Sequence, residues 1–241
     1  MKRLIFLTVL LAVTTASADV TTYFGEDLGL GEGTRLPSWP NAAAAGASFL
    51  ARLEGVSTES FETFATGSHP ATLSFQGSAG TITAALSNSG GFAPEVAYVP
   101  SGTNGVGRYP TDGVKYLETS SSFRVDFDSA VAAFGFYATD IGDFGGQVTL
   151  TTINGGTVTH TIDNTVNGRG GSVLFWGIVD TDHLFTSVQF GNTAAGVDYF
   201  GFDQMTVGDL GQVQPAVPAP GAALLCMIGL GLVRWSRKWL A

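Results

Sequence analysis

Carboxylates dominate the side chains able to do chemistry in this chain of 241 residues: 20 Asp and Glu stand beside three His and one Cys. His69, His160 and His183 are scattered, and none lies at metal-ligand spacing from another. His160 is expected on the outward face of a Thr-rich strand, and His183, after Asp180 and Asp182, in a turn. No Gly-x-Ser-x-Gly elbow occurs, and the lone thiol, Cys226, falls in an apolar run near the C-terminus, so no enzyme is expected. A glycan hydrolase would need two carboxyls about 5–10 Å apart across a cleft, and no pair is singled out by position. Calcium chemistry suits the acids better, since Ca²⁺ takes carboxylates and loop carbonyls in a Gly-permitted loop. Asp140-Ile141-Gly142-Asp143 ends one expected strand in such a loop. Asp203 sits among Phe200, Phe202 and Met205, where a carboxylate must be paired, hydrogen-bonded or metal-bound. Trp39, Trp176, Tyr109 and Tyr137 are the aromatics that by type could face a sugar, with Trp176 expected in the core because its run Val173–Val179 is apolar.

The elements that would hold these groups read as all-β. Residues 19–55 form a Gly- and Pro-rich lead-in with one short helix, capped by Asn41 and running to Leu53. From residue 56 to 209, short strand candidates follow at Thr72–Phe75, Thr81–Leu86, Val96–Val99 and Val114–Leu117. Phe123, Val125 and Phe127 then alternate with Arg124, Asp126 and Asp128, the period of a half-buried strand. Val131–Ala138 comes next, and Val148–Ile153 and Thr157–Ile162 flank Asn154-Gly155-Gly156, a tight hairpin signal. Ser172–Val179, the alternating stretch about Val188 and Phe190, and Val197–Val207 complete the set. About ten short strands with Gly-rich turns predict an antiparallel, jelly-roll-like β-sandwich.

The two ends read as addresses. Lys2 and Arg3 precede the apolar stretch Leu4–Val13, and Ala16-Ser17-Ala18 offers a small-x-small site, so residues 1–18 are expected to be a signal peptide cut by signal peptidase. Residues 210–216 read as a Gln-, Ala- and Pro-rich linker. Residues 217–241 read as a sorting tail carrying one transmembrane helix, closed by Arg234, Arg237 and Lys238 with Trp235 and Trp239 beside them. Residues 19–209 carry every acid against six Lys and Arg, a balance of −14, which disfavours nucleic acid as a partner.

Val217, Pro218, Ala219 and Pro220, with the apolar span Gly221–Val233 and the basic end, resemble the PEP-CTERM sorting signals processed by exosortases; Ala219 stands where the commonest form has Glu. The resemblance implies cleavage near the Pro-x-Pro by an exosortase-like transpeptidase and transfer to a cell-surface polysaccharide or lipid carrier. The region Ser48–Gly208 also looks like the sandwich domains often found before such tails, through Phe61-Glu62-Thr63-Phe64, Phe134-Gly135-Phe136-Tyr137, Asp140–Asp143 and Asp198–Asp203. That likeness implies a lectin-like or carbohydrate-binding-module-like sandwich whose first and last strands are tied by one structural calcium, with Glu62 and Asp203 as nominated ligands and Asp140 with Asp143 as a second pair. The expected role is structural or adhesive in an exopolysaccharide matrix at the cell surface; the alternatives are a carbohydrate-binding module with a defined glycan and a secreted glycan hydrolase.

Overall fold

A computed structural model describes residues 20–88, 92–120 and 122–215. The expected signal peptide at 1–18 and the expected sorting tail at 217–241 lie outside the described residues. Among those described, no helix is long and apolar enough to cross a membrane.

Two antiparallel sheets face one another. The first contains β1 (Val20–Asp27), β2 (Ser57–Glu59), β5 (Glu95–Tyr98), β6 (Lys115–Ser120), β8 (Ala133–Thr139), β11 (Val173–Asp180) and β13 (Tyr199–Gly208). Its order is β1-β11-β8-β13-β6-β5, with β2 also pairing β13. The second contains β3 (Thr72–Gly77), β4 (Gly80–Asn88), β7 (Phe123–Val131), β9 (Val148–Ile153), β10 (Thr157–Thr161) and β12 (Phe185–Asn192), in the order β10-β9-β12-β7-β4-β3. The expected sandwich is therefore present, with strands near most of the expected positions.

The main core lies between the sheets and is built from phenylalanine. Phe123 stacks on Phe190 at 4.2 Å between ring centroids, and Phe136 and Phe202 close around them edge-on or tilted. The period-two reading of β7 holds because Phe123, Val125 and Phe127 are buried while Arg124 and Asp126 face out.

The outer face of the first sheet is also covered. Helix α1 (Pro40–Leu50) lies on it, and Phe49 joins Tyr109, Tyr116, Phe175 and Val179 in a second core. This third layer explains why every residue of β11 is buried: a strand covered on both faces reads as one apolar run. Gly135 and Gly177, paired across β8 and β11, make room for the Phe49 ring; a Cβ at either would come within 2.8 Å of it.

Three stretches differ from expectation. Residues 20–27 form β1, an edge strand, although their Thr-, Gly- and acid-rich composition reads as lead-in. Helix α1 begins at Pro40 and ends at Leu50 rather than running to Leu53. Asn41 does not cap it: its side-chain amide donates to Glu26 O and Asp27 Oδ1, and the Asp27 carboxylate accepts the first helical N–H groups, from Asn41 at 3.3 Å and Ala42 at 2.9 Å. A carboxylate from a neighbouring strand thus does the capping. Finally, residues 210–214 do not hang free as a linker. Leu210–Gln212 is a 3-10 turn in which Asp209 and Gln212 cap each other, and Gln212 Nε2 donates to Gly55 O and Gln76 O. Val213 bridges Leu53 and Gln214 N donates to Arg52 O, so the chain stays docked as far as Gln214.

Candidate ligand-binding groove

Three of the nominated acids, Asp203, Glu62 and Asp140, accept hydrogen bonds from protein donors. Asp203 Oδ2 accepts from Thr111 N at 2.8 Å, Thr111 Oγ1 at 3.0 Å and Asp112 N at 2.9 Å, while Oδ1 accepts from Gln204 N at 2.7 Å. Four donors fill a carboxylate's acceptor capacity. Burial pushes Asp203 up to about 7, with all four donors pulling the other way. Glu62 Oε1 accepts from Val114 N at 2.8 Å and Lys115 N at 2.7 Å. The two acids thus meet one segment, residues 111–115, and pin it to β13 and to the turn that follows β2 through its backbone N–H groups. Asp140 and Asp143 come together near Gly170, but Asp140 Oδ1 accepts from Gly171 N and Oδ2 lies 3.6 Å from Arg108 Nη1. Among the described residues no three His, Cys, Asp or Glu are grouped so as to hold a metal ion. At Asp203 the protein's own donors occupy the acceptor capacity that a calcium ion would need, and at Glu62 and Asp140 they take one carboxylate oxygen each.

The aromatics expected to face a sugar are also engaged elsewhere. Tyr109 is fully buried; its hydroxyl donates to Gly171 O and accepts from Leu36 N. Tyr137 packs edge-on against Phe175, Trp39 leans on the second core, and Trp176 is buried against Phe136 as its apolar run predicts. His160 turns inward rather than out: its ring lies 5.9 Å from Trp176 and its buried Nε2 has no partner. Burial lowers its pKa, which keeps the ring neutral.

Where the helix-and-loop layer stops, the outer face of the first sheet opens into a hollow of about 170 Å³ lined by Phe92, Ala93, Glu95, Glu118, Thr119 and Tyr199. Three strand ends place these residues. Glu95 opens β5, Glu118 lies directly opposite it on β6, and Tyr199 opens β13. Strand alternation sends Leu117, Phe200 and Phe202 into the core, leaving Glu118 and Tyr199 for the outer face. Phe92 is 68% exposed and its ring lies 5.5 Å from that of Tyr199.

A fixed guanidinium orders one wall. Arg108 Nε lies 3.0 Å from Glu118 Oε2, Nη1 donates to Tyr199 O at 3.4 Å, and the guanidinium carbon sits 5.7 Å from the Tyr199 ring centroid. Asn104 Nδ2 and the Tyr116 hydroxyl also donate to Glu118 Oε2, each at 3.1 Å. Burial, with the Glu118 charge beside it, drives the Tyr116 pKa far up, so its hydroxyl stays a neutral donor. Asn104 Oδ1 accepts from Val106 N and Arg108 N, which fixes the loop that delivers Arg108. Below lies Asp140, which burial pushes up to about 7; Asp143 and Asp198 add to the rise, and Gly171 N–H and Arg108 oppose it. Gly107, at φ +88°, passes so close over Asp140 that any side chain there would strike the carboxylate.

One exposed and one half-buried aromatic ring beside two carboxylates, an amide and a guanidinium make a surface that can stack on an apolar ring face and hydrogen-bond its polar rim. Sequence reasoning missed Phe92 and Tyr199. The usable sequence signal for Phe92 was its setting, Gly90-Gly91-Phe92-Ala93-Pro94, a Gly- and Pro-containing stretch with no other large apolar side chain.

No protein-family model matches the chain, and no curated protein matches it. Among solved structures, it is similar to the K2 cleaved adhesin domain of Lys-gingipain, at 14% identity and a TM-score of 0.41, over 63% of this chain and 97% of that one. It is also similar to a carbohydrate-binding module in complex with β-1,4-galactotriose, at 15% identity and a TM-score of 0.24, over 52% of this chain and 86% of that one. At such scores neither neighbour says what this chain binds.

Proposed function

We propose that the chain is an exported glycan-binding module of adhesive character, displayed at the cell surface and holding polysaccharide in the Phe92–Tyr199 groove. The observation that carries this reading is the groove itself: an exposed and a half-buried aromatic ring, tilted against each other and framed by ordered hydrogen-bonding groups, at the far end of the domain from residues 209–214. β13 runs from Tyr199 at the groove to Gly208 beside the docked segment 209–214. Ten residues of strand separate the two poles by about 30 Å. A domain tethered through its C-terminus would therefore present the groove outward.

The signal-like N-terminus and the Val217-Pro218-Ala219-Pro220 tail support export followed by sorting of the exosortase kind, with the carrier at the C-terminal pole. Binding to immobilised polysaccharides, measured by retardation in affinity gels, tests the reading. Wild-type protein is retarded by at least one polysaccharide, and Phe92→Ala and Tyr199→Ala each abolish the retardation while leaving the melting temperature unchanged. Equal retardation of wild type and both variants would refute the groove.

A further inference from the structure

The charge of the groove bears on which sugar it takes. Glu95 and Glu118 face each other across β5 and β6, the arrangement in which like charges repel most directly on a sheet. Glu118 has Arg108 beside it, but that guanidinium also serves Asp140 and the Tyr199 carbonyl. Glu95 is exposed and has no protein hydrogen-bond or ion-pair partner among the described residues. Two carboxylates thus share one cation, in a region carrying 20 acids against six bases. The exposed ring face of Phe92 also favours positive charge above it, whereas Tyr199 already carries the Arg108 guanidinium.

Resting on the glycan reading above, we infer that the groove selects an amine-bearing sugar, a hexosamine unit with a free ammonium group, through pairing with Glu95. The ring of such a sugar packs on the aromatics, and its ammonium supplies the cation the opposed carboxylates lack. A uronic acid would bring a third carboxylate to the same place. A neutral or N-acetylated sugar would leave Glu95 uncompensated.

The test is calorimetric titration of the full chain in a non-ionic detergent with three oligosaccharides: de-N-acetylated glucosamine hexamer, its N-acetylated counterpart, and a galacturonic acid hexamer. The aminated hexamer binds tightest, the uronate does not bind, and added salt weakens the aminated complex. Glu95→Gln lowers affinity for the aminated hexamer about fivefold. Glu54→Gln, which removes an acid beside Gln214 at the opposite pole, has no effect. Equal affinity for the aminated and N-acetylated hexamers, or equal losses from the two Glu→Gln changes, would overturn the amine preference and leave glycan binding standing. Failure of all three sugars, together with failure of the polysaccharide gels, would overturn both.

Discussion

Replacing Asp140 with Asn should stabilise the domain above neutral pH and remove part of its pH dependence. Asp140 is 4% exposed, and burial holds its carboxyl near 7, against about 3.9 in an unfolded chain. Between those values the folded protein keeps a proton that the unfolded chain has released. Stability from this group is thus fully present below about pH 4 and is lost as pH rises through about 7. A difference of about three pH units, at about 1.4 kcal/mol each, sets a ceiling of about 4 kcal/mol. Asn is neutral at every pH, can still accept from Gly171 N–H, and tolerates the left-handed backbone that Asp140 adopts at φ +67°. The attraction of Arg108, 3.6 Å away, already opposes the rise and is contained in that ceiling; imperfect packing of the amide lowers the gain below it. The net expectation at pH 8 is a gain of about 2–3 kcal/mol, or about 5–10 °C in melting temperature, shrinking to nothing or a slight loss at pH 5. Thermal unfolding followed by circular dichroism from pH 5 to 8 measures both curves. The wild type should melt higher at pH 5 than at pH 8, and the variant should keep only the part of the slope that Asp203, Asp143 and Glu26 contribute. A wild-type curve flat over this range, with Asp140→Asn less stable throughout, would refute the assignment of a costly buried charge.

Other perturbations probe the layers that carry the groove. Gly177→Ala places a methyl group within 2.8 Å of the Phe49 ring and should cost about 1–3 kcal/mol by lifting α1 off the first sheet. Denaturant unfolding measures that loss, and an unchanged midpoint would mean that the helix is not tightly seated. Gln212→Ala removes the donor that the buried Gln212 amide supplies to the carbonyls of Gly55 and Gln76 and should cost about 1 kcal/mol. Proteolysis of this variant should begin at residues 209–214, whereas the wild type is protected there; equal protection of the two would show that Gln212 does not hold the segment.

The sandwich was legible because its strands carry strong periodicity. β7 alternates cleanly, β9 and β10 flank a Gly-rich turn, and β11 is an apolar run because a third layer covers its outer face. β1 was not legible: an edge strand needs little apolar surface on its exposed side, and its acids serve remote partners, Asp27 the helix and Glu26 the Thr165 N–H and hydroxyl. The docking of residues 210–214 was hidden for the same reason, since Gln212 acts through contacts with Gly55 and Gln76 far away in the chain. Acidic residues were correctly suspected of work, but composition cannot tell a metal ligand from a receptor for backbone N–H groups. Asp203 and Glu62 turned out to be receptors, a distinction that depends on where residues 111–115 pass. His160 misled because its inward face is made by Trp176 of the other sheet. The groove needed three strand ends from positions 95, 118 and 199 to converge, which no local pattern records.

Hydrogen–deuterium exchange of the full chain, with and without the de-N-acetylated glucosamine hexamer, tests the central claim most directly. Binding in the groove predicts added protection in peptides covering 92–99, 115–120 and 198–202, with none in the docked segment 209–214 about 30 Å away. Protection confined to other surfaces, such as the Thr-rich outer face of β9 and β10, would contradict it.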